Sequence, residues 1–167
     1  MHVTFDKLPE TSRLWIYQAN RKLSENEQQI ISDRLLSFNE QWKVHGQPLM
    51  ASFDIRFDHF IILGVDEQYN ATSGCSIDSS VNNLKEISNT LTLNFLDRSK
   101  VAFLKENKVE LIALADLSNQ LKEGRWQGST LTFNNVITTK AELESKWLVP
   151  ASETWLKRYL SSVTIIK

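Results

Sequence analysis

The chain has 167 residues, 41% hydrophobic and 23% charged, with 19 Lys and Arg against 20 Asp and Glu for a formal net charge of −1. That size and usage suit a single folded domain over 1–167 and exclude a disordered chain. The charges are well mixed, with no Lys/Arg stripe to follow phosphates and no run near the roughly 20 apolar residues that span a bilayer, so neither nucleic acid nor membrane insertion is expected.

From Arg13 the aromatic and β-branched run Leu14-Trp15-Ile16-Tyr17-Gln18-Ala19 predicts a strand. Ser24-Glu25-Asn26-Glu27 has capping-box spacing, and Ile30, Ile31, Leu35, Phe38 and Trp42 recur at helical steps behind it, so a helix is expected over 25–43 with Gly46 as its stop. Leu49–Phe57 partly alternates and Phe60–Val65 is continuously apolar; Asp58-His59 between them predicts a hairpin. A polar loop, Asp66–Ser73, leads to a second helix over about 76–89, with Ile77, Val81, Leu84 and Ile87 as its core face. Val101–Leu104 and Val109–Ala113 read as strands around a Lys105–Lys108 turn, and Ala115–Glu123 as a short helix closed by Gly124. Leu131–Phe133 is a further short strand. Thr139-Lys140-Ala141-Glu142 opens a helix, and Ser152 caps a last one carrying Trp155 and Tyr159. The apolar tail Val163–Ile166 fits a late strand or a frayed end.

Through residue 105 the order is β-α-β-β-α-β. The expected fold class is therefore α+β, ferredoxin-like, with both helices on one face of an antiparallel sheet. The core spans about 13–113 and an α/β extension about 114–167.

Chemistry is expected first at Ser73-Gly74-Cys75-Ser76-Ile77-Asp78, a strand–loop–helix corner. Free N–H groups and the positive end of a helix dipole there favour an anion and a thiolate. Asp66, Ser73, Gly74 and Ser76 are the candidate ligand-binding residues. Cys75 is the candidate nucleophile, His45 in the last turn of the first helix its base, and Asp78 or Asp66 the orienting carboxylate. The bland alternative has Gly74 making a turn, Ser76 or Asp78 capping the helix, Cys75 buried, and His45 merely favoured by the dipole. His2 and His59 read as terminal and turn-exposed. Three scattered His and one Cys lack the paired spacing of a metal site, and no cofactor is expected. Trp126, Trp147 and Trp155 are expected to close the core.

The segments Trp15–Ala19, Trp42-x-x-His45-Gly46, Ala51-Ser52-Phe53-x-Ile55-Arg56, Val65-Asp66-Glu67 and Ser73–Asp78 together resemble a family of small bacterial proteins. The family is chiefly from Bacteroidetes and often carries the label "ABC transporter ATPase". The resemblance extends from about Val3 to Tyr159 and takes in Asp97-Arg98, Val101-Ala102-Phe103 and Phe133-Asn134-Asn135. It implies that His45-Gly46 and Gly74–Asp78 belong to the family pattern. It does not imply an ATPase, because the chain holds neither G-x-x-x-x-G-K-[ST] nor G-x-G-x-x-G.

Two functions are therefore weighed. One is a binding domain for a small ligand or a protein partner, a second copy of the chain among the candidates; the other is a Cys75 enzyme for acyl or thiol chemistry. An accessory role in a transport system rests on the family's label alone. One cysteine and an N-terminus, Met1–Asp6, without signal-peptide layout predict a cytoplasmic setting.

Overall fold

The structure, a computed structural model, describes residues 1–165, and side chains through Ser161. It is mixed α+β with antiparallel sheets, and its contacts gather into two compact units. The first takes Met1–Asp97 and Ile137–Glu142, the second Arg98–Val136 and Leu143 onward.

The first unit is organised by one strand. Its elements are β1 (Arg13–Gln18), α1 (Glu25–Gln41), β2 (Lys43–Val44), β3 (Gln47–Pro48), β4 (Ala51–Arg56), β5 (Phe60–Val65) and α2 (Gly74–Leu91). All six residues of β5 are buried, which explains its unbroken apolar sequence, and it lies between β1 and β4 in the order β1-β5-β4, antiparallel to both. Ile61 packs with Tyr17, Phe53 and Ile55 against Ile31 and Leu35 of α1 and Leu84 and Ile87 of α2. Fully burying each such aliphatic side chain contributes roughly 1.5–3 kcal/mol. On the opposite face of β5, Gly64 is set by close approach: a Cβ there would stand 2.7 Å from Leu8 Cδ1 and 2.9 Å from Leu14 Cδ2.

The capping box of α1 forms as its spacing predicts. Ser24 Oγ accepts from the Glu27 N–H at 3.1 Å, and Glu27 Oε1 accepts from the Ser24 N–H at 2.9 Å. A paired contact with Arg21, with that N–H bond, lowers the Glu27 carboxyl to about 2. The helix ends at Gln41, however, because Lys43-Val44 turns back to pair with Gln47-Pro48. His45 (φ 48°) and Gly46 (φ 79°) make the two-residue turn, and such a turn needs left-handed backbone at both positions. His45 is thus at a hairpin tip, not in a last helical turn.

The strand expected to complete the first sheet is elsewhere. Lys100–Lys105 (β6) pairs with Lys108–Ala113 (β7) through a two-residue turn at Glu106-Asn107, both left-handed, and belongs to the second unit. Beside β1, its place in a ferredoxin-like sheet, are Thr138, whose carbonyl accepts from the Leu14 N–H at 2.8 Å, and Thr139, bridged to Arg13. A local hairpin closes a short loop and so forms at lower entropic cost than the longer crossover.

The second unit continues with α3 (Leu117–Lys122), β8 (Leu131–Phe133), α4 (Lys140–Ser145), β9 (Leu148–Pro150) and α5 (Lys157–Ile165). The chain passes from the first unit into the second within α4. Its sheet runs β7-β6-β8-β9. Phe103, Ile112, Leu117, Trp126, Ala151 and Leu156 form its core, with Trp126 stacked on Phe103 and its indole N–H donated to the Leu117 carbonyl at 2.9 Å. Trp147 is also buried, but Trp155, expected in the core, is 48% exposed beneath the Arg158 guanidinium. Residues 163–165 lie in α5 and not in a strand; Ile166 falls outside the described residues. No helix among the described residues is long and apolar enough to cross a membrane.

Candidate functional site

The Gly74–Asp78 corner is built as a closed helix start. Ser73, not Ser76 or Asp78, is the N-cap: its Oγ accepts from the Ser76 N–H at 3.2 Å, and Ser76 Oγ accepts from the Ser73 N–H at 2.7 Å. Ser76 is buried, and its carbonyl accepts the Trp42 indole N–H at 2.8 Å, tying α2 to the end of α1. The preceding loop is clamped as well. Glu67 Oε2 accepts from Thr72 Oγ1 at 2.7 Å and from its N–H at 2.9 Å, and Asp66 Oδ1 accepts from the Gln68 N–H at 3.1 Å. Among the candidate ligand residues, then, Ser73 and Ser76 bond each other, Asp66 closes a turn, and Gly74 opens the helix with its Cα side facing open space.

Cys75 is exposed, contrary to a buried structural thiol, and so are His45 and Asp78. Among the described residues no hydrogen bond joins Cys75, His45 and Asp78, and Cys75 bonds only through its carbonyl, which accepts from Ser79 Oγ at 3.1 Å. The core face of α2 also differs from expectation. It runs through Ser76, Ser80, Leu84, Ile87 and Ser88, with Ile77 and Val81 only half-buried. Tyr17 lies against that serine stripe, where burial raises its pKa and a bond with Ser80 opposes the rise. Two histidines lie deeper than the sequence suggests. His59 is buried with Nδ1 donating to the Phe57 carbonyl at 2.8 Å, and half-buried His2 has its ring 5.5 Å from that of Phe53, its pKa lowered by burial. No group of three or more His, Cys, Asp or Glu among the described residues could hold a metal ion.

In this unit, unpartnered backbone groups lie along the edge of β4. The Met50 and Arg56 carbonyls accept from Asp66 and His59 on the β5 side, at 2.9 and 3.2 Å. In an antiparallel ladder each residue directs both backbone groups to one side and the next residue to the other. Ala51, Phe53 and Ile55 therefore direct theirs away from β5. Ala51 uses both: its carbonyl accepts from the Val3 N–H and its N–H donates to the Met1 carbonyl, each at 2.9 Å. The N-terminal segment pairs no further, so among the described residues the outward N–H and C=O of Phe53 and Ile55 have no partner. Beside them is an open groove of 430 Å³ between α1 and β4, lined by Glu25, Gln28, Gln29 and Ser32 and by Phe53, Asp54 and Ile55. The alternation of Phe53 and Ile55 with Asp54 and Arg56 marks a strand; that this strand is an edge is not encoded locally.

Compared with known proteins, the chain matches no family model, no curated protein and no solved structure.

Proposed function

We propose that this chain is a binding module that takes up an extended polypeptide segment as an added strand along β4, in the groove against α1. The observation that carries this reading is the pair Phe53 and Ile55, whose four outward backbone groups are unpartnered among the described residues and which line an open groove against α1. Strand addition uses such groups for affinity and the flanking groove for selectivity. The strand order first–third–second leaves β4 at an edge, which is compatible with reading this part as a split βαβ unit. Kinship with the small bacterial family would add no reaction to this reading, and a lone exposed thiol suits a cytoplasmic setting.

Amide hydrogen exchange tests it. In the free protein the Phe53 and Ile55 amides should exchange fast while Asp54, bonded to β5, exchanges slowly. An excess of a bound strand-forming peptide should slow Phe53 and Ile55 by about tenfold or more, since protection tracks the bound fraction. Ile55→Pro removes one outward N–H without touching the ladder to β5, so it should lose the peptide and keep the fold. Unchanged exchange with every peptide would overturn the proposal.

A further inference from the structure

We infer that the segment seated on β4 is basic, carrying Lys or Arg at alternate positions on its α1-facing side. This deepens the strand-addition reading and rests on it.

The inference comes from which groove groups have partners and which do not. The Gln28 side-chain amide donates to the Leu23 carbonyl at 3.2 Å and to Asp58 Oδ1 at 2.9 Å, which uses both of its N–H groups. Gln29 donates to Asp33 Oδ1 at 2.9 Å. Their amide oxygens accept nothing, and among the described residues the Glu25 carboxylate and the Ser32 hydroxyl also lack partners. What α1 offers the groove is thus mostly acceptors with one negative charge, Glu25, that has no side-chain partner among the described residues. The cation next to the groove already faces a carboxylate: Arg56 Nε donates to Asp54 Oδ2 at 2.8 Å.

A strand laid beside β4 points alternate side chains toward α1, about 7 Å apart. Donor-rich side chains there meet Glu25 and the glutamine oxygens, and their alkyl stems lie along Phe53 and Ile55. Acidic side chains would face Glu25 and Asp54, and no cation is among the residues that line the groove. A second copy pairing its own β4 would bring Phe53 and Ile55 against those acceptors, leaving the acceptors desolvated and unpaired.

Three fluorescein-labelled octapeptides provide the probe, Lys-Val, Gln-Val and Glu-Val each repeated four times, titrated into the intact chain at low salt. The Lys-Val peptide should bind about tenfold tighter than Gln-Val and more tightly still than Glu-Val, with the preference shrinking as salt screens it. Glu25→Gln should narrow the order and Glu25→Lys reverse it, while Ile55→Pro removes binding of all three. Equal binding of the three, or Lys-Val binding indifferent to Ile55→Pro, overturns the basic partner. Protection of Phe53 and Ile55 by Gln-Val or Glu-Val alone also overturns it and leaves strand addition standing. Failure of all three to protect those amides overturns strand addition itself. Protection that grows with protein concentration, without peptide, identifies a second copy as the occupant and overturns the basic partner.

Discussion

Two polar regions of the first unit differ in what their hydrogen-bonding groups have left to give. At the start of α2, Ser73 and Ser76 cap each other and the Trp42 indole takes the Ser76 carbonyl. Along β4, Phe53 and Ile55 keep four backbone groups facing outward, and Glu25 and Ser32 stand across the groove without side-chain partners among the described residues. The first region is richer in chemically suggestive residues and the second in unmet bonding capacity. A group already paired inside the protein gains little from a ligand, whereas an exposed edge gains a bond for each group satisfied. Residue type identifies what a place could do, and pairing decides what it is free to do.

The largest effect that can break this contrast is Trp42→Ala. The side chain is buried against Trp15 and Phe38 and anchors Ser76, so urea unfolding should show a loss of about 3–5 kcal/mol. A loss under about 1 kcal/mol would mean that the corner is not held by this indole. Smaller, and sharper as a comparison, is Ser73→Ala beside Glu25→Ala. Losing the cap should cost about 1 kcal/mol. Losing the unpartnered Glu25 should stay within about 0.5 kcal/mol while weakening uptake of a basic peptide. Equal costs would erase the distinction between the regions. The smallest expected effect concerns Cys75: it should alkylate in the native protein, and His45→Ala should change the rate by less than about twofold, since the two residues share no bond. A several-fold fall in rate would instead bring back the Cys75–His45 enzyme.

Much of the first unit was legible locally. Ser24 and Glu27 formed the capping box their spacing predicts, and β5 coincides with the run Phe60–Val65. The hairpin at Lys43–Pro48 was missed because Trp42 fits the apolar step of α1, although the His45-Gly46 pair is itself a turn signal. The α2 face was misjudged in the same way. Burial chose Ser76 and Ser80 over Ile77 and Val81, since small residues let the Trp42 indole and the Tyr17 hydroxyl reach the helix.

The sequence by itself determined the kinds of most elements, the α1 capping box and the left-handed Gly124 stop, because each depends on residues within a few positions of one another. Only the tertiary structure decided which sheet Lys100–Lys105 joins, that β4 is an edge, that Trp155 lies at the surface and that, among the described residues, no bond joins Cys75 to His45. Those outcomes depend on which distant segments meet, and meeting is settled by the competition between short-loop closure and burial over the whole chain.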